Sequence, residues 1–362
     1  MGFSLVIPSS YTAEVSPGSP MKTVSALLCY LLVTAACGSK SDDVQPGDSD
    51  AAVTPPADFY QVKWGPKTIA PGIEDVECII MRLGNDVPAK INRIHNVLGN
   101  VSHHLIVYEA TETEEQLTPF ACDSIENLVN DENGLPLVIT QKAEETLQLP
   151  PGVAFAFKEN TFIRLELHYV NASDNPMEVE VTSTFTPIAE AEFEHAAGLV
   201  FIGNPDISIA ANSPSTLGPT FFELPPELYG VTFFGITGHE HQWGTNVYVE
   251  TAADSTAPGT PVYELSNFNW NEPETVYHDP GFTIPDVGGF RFTCDWFNAS
   301  GRRVGFGEGV DDEMCFFWAY YYPNRGSYTC FHTEQIAGTL DVCCPGNQLC
   351  NVIDDFFGSG AN

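Results

Sequence analysis

Apolar residues in this chain arrive in short runs broken by turn residues, and the spacing of a long amphipathic helix is nearly absent. Thr161 to Val170 (TFIRLELHYV) shows the pattern that replaces it. Ile163, Leu165, Leu167 and Tyr169 alternate with Arg164, Glu166 and His168, so an extended chain puts the first four on one face and the other three on the opposite one. His168 is therefore expected to point away from the main core. With 30 glycines, 27 prolines and 24 phenylalanines, the sequence predicts β-rich structure. Its 362 residues are enough for about two domains, each burying its own core.

Forty-eight acidic residues against 14 basic ones give a net charge of −34. A nucleic-acid backbone requires a basic stripe that displaces counterions, so nucleic acid is not an expected partner, and the charge reads as a well-solvated surface. Met21 to Cys37 (MKTVSALLCYLLVTAAC) carries one lysine, an apolar stretch short for a bilayer span and small residues before a cysteine. It reads as a bacterial lipoprotein signal with Cys37 taking the lipid; plain signal-peptide cleavage is the alternative, since Thr34 is unusual three residues before the cysteine. Residues 1–20, without a basic region of their own, read as an upstream extension. Residues 38–57, rich in Ser, Asp, Gly, Pro and Ala, are expected to be a disordered tether. The expected location is exported, at an outer membrane or cell surface, touching the membrane only through the lipid. Eight cysteines follow Cys37 (Cys78, Cys122, Cys294, Cys315, Cys330, Cys343, Cys344 and Cys350), and an even number in an exported chain favours disulfides. Their spacing leaves the pairing open, although the adjacent Cys343 and Cys344 and the lack of paired CxxC motifs disfavour a zinc site in the tail.

Two groups of side chains carry metal chemistry. In Gly238-His239-Glu240-His241 a spacing of two places both imidazoles on one face of an extended chain. Glu240 should then point the other way, as a surface residue or a support behind the ligands. His103 and His104 are neighbours, which reach one metal only where a strand bulges, twists or ends; the polar Asn100 and Ser102 before the apolar run LIVY place them at a strand mouth. Met314 lies where an acidic turn enters an aromatic strand. Methionine beside aromatics is ordinarily core filler. With His239 and His241, however, a thioether makes a soft site that selects copper, above all Cu(I), and His103, His104 and His168 form the other group. Two copper sites in one exported chain point to redox chemistry on oxygen. His95, His195, His278 and His332 have no such context and read as structural.

Taken in order, SHHLIVY, LELHYVN, GHEHQWG, FTCDWFN and EMCFFWAYYYP resemble the copper type II, ascorbate-dependent monooxygenases, the family of peptidylglycine α-hydroxylating monooxygenase and dopamine β-monooxygenase. The resemblance runs from about Asp58 to Pro323. It implies an all-β fold of two antiparallel jelly-roll-type β-sandwich domains, one copper site in each and a catalytic cleft between them. The domains would span 58–188 and 189–345, with a boundary near Pro187 to Ala191 and a tail over 346–362. His103, His104 and His168 would bind the electron-donating copper. His239, His241 and Met314 would bind the copper where oxygen and substrate meet. Disulfides Cys78 to Cys122 and Cys294 to Cys315 are implied as well. The implied reaction hydroxylates a substrate C–H bond with O2, two copper ions and ascorbate as reductant; the rival readings are an exported copper-binding or copper-scavenging lipoprotein without turnover and a metal-free scaffold. The peptide-amidating branch grips a terminal carboxylate with an arginine two residues before the His-x-His pair and an asparagine two after the methionine. Here Thr237 and Phe316 stand at those positions. A neutral or amine-bearing small molecule with an apolar or aromatic body is therefore the expected substrate, held by Phe316, Trp318 and Tyr320.

Overall fold

The computed structural model describes residues 58–122, 134–284, 287–335, 338–345, 347 and 349–350. The expected leader, Cys37 and the tether over 38–57 lie outside the described residues, as does the tail over 346–362 apart from residues 347, 349 and 350. Among the described residues no helix is long and apolar enough to cross a membrane.

The chain is all-β, and its strands form two lobes of stacked sheets. In the first lobe one sheet runs Gln116–Ala121, Glu74–Arg82, Phe162–Val170, Ser102–Ala110, Leu135–Thr140. Tyr60–Ile69, Met177–Ile188, Ala89–Val97 and Val153–Phe157 make the backbone of the other. Ile163, Leu165, Leu167 and Tyr169 face the core between them, packed with Trp64, Val181 and Phe185, as the alternation predicts. The opposite face, however, is not open to solvent. Glu166 accepts the Tyr108 hydroxyl, Arg164 pairs with Glu112, and His168 is only 2% exposed. A charged face can be buried in this way because each of these three side chains has a polar partner.

In the second lobe a six-stranded sheet runs Val276–Thr283, Thr232–His239, Phe316–Tyr322, Gly198–Gly203, Tyr328–Thr333, Leu340–Cys344. A four-stranded sheet, Ser213–Glu223, Gly289–Asn298, Gly244–Ala252 and Thr260–Tyr263, packs against one side of it through Phe222, Val247 and Phe292. Its other side packs on the first lobe. The period-two alternation of Phe316–Tyr322 makes this division: Cys315, Phe317, Ala319 and Tyr321 enter the second-lobe core. Met314, Phe316, Trp318 and Tyr320 join Phe201 and Phe234 in the cluster that continues into the first lobe. This corrects the expected aromatic wall for substrate. Phe316 is fully buried and stacked on Phe201 at 4.8 Å, and Trp318 and Tyr320 are 2% exposed, so these rings fill the boundary between lobes.

His195–Ala196 adds a parallel strand beside Val153 and Ala154. The described cysteines pair as Cys78–Cys122, Cys294–Cys315, Cys330–Cys343 and Cys344–Cys350. Four disulfides fit an oxidising, exported setting. The second of them fastens Cys315, next to Met314, to the strand Gly289–Asn298.

Candidate metal centre

Ser102–Ala110 pairs with Phe162–Val170 so that Ser102 lies opposite Tyr169 and His104 opposite His168; His103 is the extra residue of a β-bulge. Such an irregularity is what lets neighbouring side chains turn to one side. Candidate ligand atoms of His103, His104 and His168 lie within 4.8 Å of one another, and all three side chains are buried. Glu74 Oε1 lies 2.9 Å from His168 Nε2. A carboxylate in that position accepts, so Nε2 carries the proton and Nδ1 is left with its lone pair. His168 Nδ1, both nitrogens of His104 and Nε2 of His103 are buried without a protein partner. Buried polar atoms of this kind are rare, and three that converge are what a metal ion would satisfy. Burial first, and the neighbouring imidazoles second, hold His103 and His104 well below the ordinary histidine pKa.

His239 ends the strand Thr232–His239, and His241 lies in the turn that follows, closed by the Gly244 amide donating to the His241 carbonyl at 2.9 Å. Their ring centroids are 5.1 Å apart. Glycine is required at position 244 because a Cβ there would lie 2.4 Å from the side chain of Glu240. Glu240 is thus no surface residue: it is fully buried beneath that turn, and burial followed by Glu313 pushes its pKa well up. The His239 Nδ1 proton is directed at Gln141 Oε1, 2.9 Å away, and the His241 Nδ1 proton at the Asp312 carbonyl, 3.2 Å away. Both rings then present Nε2, and that of His241 is buried without a partner. Desolvation, and after it the charge of His168, brings the His241 pKa down to about 4.

Glu313 builds the second set. Its Oε2 accepts the His241 amide and the Trp296 indole N–H, each at 2.9 Å, and its Oε1 accepts the Trp243 amide at 2.7 Å. One carboxylate thereby fixes the His-x-His turn to the segment that carries Met314, and burial raises its pKa to about 7 against the pull of those donors. Met314 is buried, on the strand side facing the first lobe.

The two sets adjoin. His103 stands 5.9 Å from His241, ring centre to ring centre, and 6.1 Å from the half-buried indole of Trp270. The remaining histidines are accounted for elsewhere: His95 bonds Thr146, His278 donates to the Val262 carbonyl, His332 pairs with Asp341, and His195 stacks on Tyr322. Glu74, Gln141, Glu313 and Trp270 are the residues that motif reading does not single out.

The sheets define an all-β protein consistent with a β-sandwich, and its clustered, partnerless imidazoles are a group that could hold a metal ion. Residues 219–339 match the family model described as copper type II ascorbate-dependent monooxygenase, C-terminal domain, and this match supports membership of that family. The match contains His239, His241 and Met314. No curated protein sequence matches the chain. Among solved structures, the major capsid protein P2 of bacteriophage PM2 is similar at 10% identity and a TM-score of 0.32, covering 74% of this chain and 98% of that one. Broad bean stain virus follows at 10% identity and a TM-score of 0.27, covering 80% and 92%. Both scores are low, and the family assignment rests on the sequence match.

Proposed function

We propose that this protein is a copper-dependent monooxygenase that hydroxylates a substrate C–H bond with O2, using ascorbate as reductant. The observation that carries this reading is the group of buried imidazole nitrogens without a protein partner, those of His103, His104, His168 and His241. His103, His104 and His168 would hold one copper ion; His239, His241 and Met314 would hold the other. Bound there, copper would deliver single electrons and activate O2. The protein's part would be to orient the imidazoles through Glu74, Gln141 and the Asp312 carbonyl, to tie the His-x-His turn to the segment carrying Met314 through Glu313, and to exclude bulk water. The Cys37 lipid anchor belongs to the same proposal. The test is elemental analysis of the copper-reconstituted protein, expected to give two ions per chain, followed by oxygen uptake that requires both ascorbate and substrate. Two ions without such uptake would favour the rival reading, a copper store.

Substrate choice follows from the two departures at the site. Thr237 is buried and bonded to the Thr275 hydroxyl, and Phe316 is packed on Phe201, so neither grips a carboxylate. Trp270 stands beside the site with part of its indole open, and it supplies the stacking surface for a neutral or amine-bearing aromatic substrate. A phenethylamine should be hydroxylated in preference to a glycine-extended peptide; efficient turnover of the peptide would sink this assignment.

The lowered histidine pKa values predict unusual acid tolerance of the metal sites. An imidazole whose pKa is depressed keeps its lone pair free as pH falls, down to its own pKa, about 4 for His241, instead of the ordinary value near 6.5. Copper should therefore remain bound well below pH 6.5 when retention is followed by dialysis and metal analysis. Half-release at pH 6.5 or above would contradict the burial argument.

A further inference from the structure

We propose that Glu74 and Gln141, both from the first lobe, form a latch that holds the two ligand sets in contact across the lobe boundary. Glu74 Oε1 accepts two hydrogen bonds: one from His168 Nε2 at 2.9 Å and one from the amide of Val310 at 3.0 Å. His168 belongs to the first set, whereas Val310 lies 236 residues along the chain from Glu74, in the loop leading to Met314. The same loop supplies the Asp312 carbonyl that orients His241. One carboxylate oxygen therefore fixes a ligand of one site and the loop that shapes the other. Gln141 repeats the device from a second position: its Oε1 faces Nδ1 of His239, and its Nε2 donates to the Trp270 carbonyl at 3.4 Å. In both cases a first-lobe side chain reaches a second-lobe group, and in both it engages the nitrogen of a ligand histidine that faces away from the site. Metal-binding histidines ordinarily give their other ring N–H to a carboxylate, a backbone carbonyl or water. Here the partner of His239 arrives from the other lobe, so the second set is fully oriented only while the lobes are closed upon each other.

The metal arm of the test rests on the copper reading; the metal-free arm does not, so the two can fail separately. In metal-free protein, Glu74→Ala should speed hydrogen exchange of the Val310 amide about tenfold, the loss of one net hydrogen bond to a charged group, and should raise the radius of gyration in solution scattering. Glu74→Gln keeps an acceptor oxygen at the same place and should behave as the unmodified protein does. Gln141→Ala, a neutral change at a separate contact, should expand the chain likewise. In copper-loaded protein, Gln141→Ala should weaken one ion roughly tenfold or more and leave the other unchanged, and the dipolar coupling between the two Cu(II) ions should report a longer separation in both alanine variants. Unchanged Val310 exchange and unchanged scattering in Glu74→Ala and Gln141→Ala would overturn the latch, whatever the metal content. So would a Glu74→Gln variant as perturbed as Glu74→Ala. Should Glu74→Ala fail to fold, Glu74→Gln and Gln141→Ala decide the matter by the same readings.

Discussion

Met314→His is expected to retain two copper ions and to reduce substrate-dependent oxygen uptake to background. The exchange replaces a weak, soft donor by a third imidazole and so gives the second set the composition of the first, favouring Cu(II) and filling a position that O2 needs. The fold should tolerate it: the Cys294–Cys315 disulfide and the Glu313 contacts fix the backbone on the N-terminal side and immediately after position 314. Copper content, electron paramagnetic resonance of the oxidised protein and oxygen uptake with ascorbate together make the measurement. Uptake at the unmodified rate would mean that Met314 is packing material.

Glu313→Ala should be the most damaging single substitution for stability. It strands three donors at once, the buried amide of His241 and indole of Trp296 and the half-buried amide of Trp243. At about 1–3 kcal/mol for each buried donor left unmade, partly relieved by relaxation, the loss is on the order of 4 kcal/mol. For a chain of this size that lowers the melting temperature by roughly 5 °C. Glu313→Gln keeps one acceptor oxygen but turns an amide N–H towards another donor, so it should fall between the two. Thermal denaturation followed by circular dichroism tests the order, and a Glu313→Ala variant melting with the unmodified protein would show that the carboxylate is dispensable.

The residues that bind and the residues that orient differ in how they can be found. His239 and His241 announce themselves by a spacing of two, and the awkward adjacency of His103 and His104 calls for the bulge that the strand pairing contains. The alternating residues of Thr161 to Val170 name their core face. Glu74, Gln141 and Glu313 give no such sign, because each acts on a residue 94, 98 or 72 positions away, and no local periodicity records a contact at that range. The same limitation explains the misplaced aromatic row. Parity along a strand says that Phe316, Trp318 and Tyr320 share a side, but only the tertiary structure says that the other lobe covers it. Glu240 is a third case: alternation turns it away from the ligands, and whether that direction leads to water or to the space beside Gly244 is decided by the fold.

A strand with one face in each of two cores has a bearing on how the molecule could be divided. Severed from its neighbour, the second lobe would present Phe201, Phe234, Met314, Phe316, Trp318 and Tyr320 to water as one continuous greasy sheet face, now sealed by the first lobe. Exposed apolar surface of that kind invites association with any similar face. The lobes are therefore poor candidates for separate modules that could be shuffled, swapped or expressed singly. What looks like a pair of beads is, in folding terms, one stack in which the strand Phe316–Tyr322 gives a face to each of two interiors.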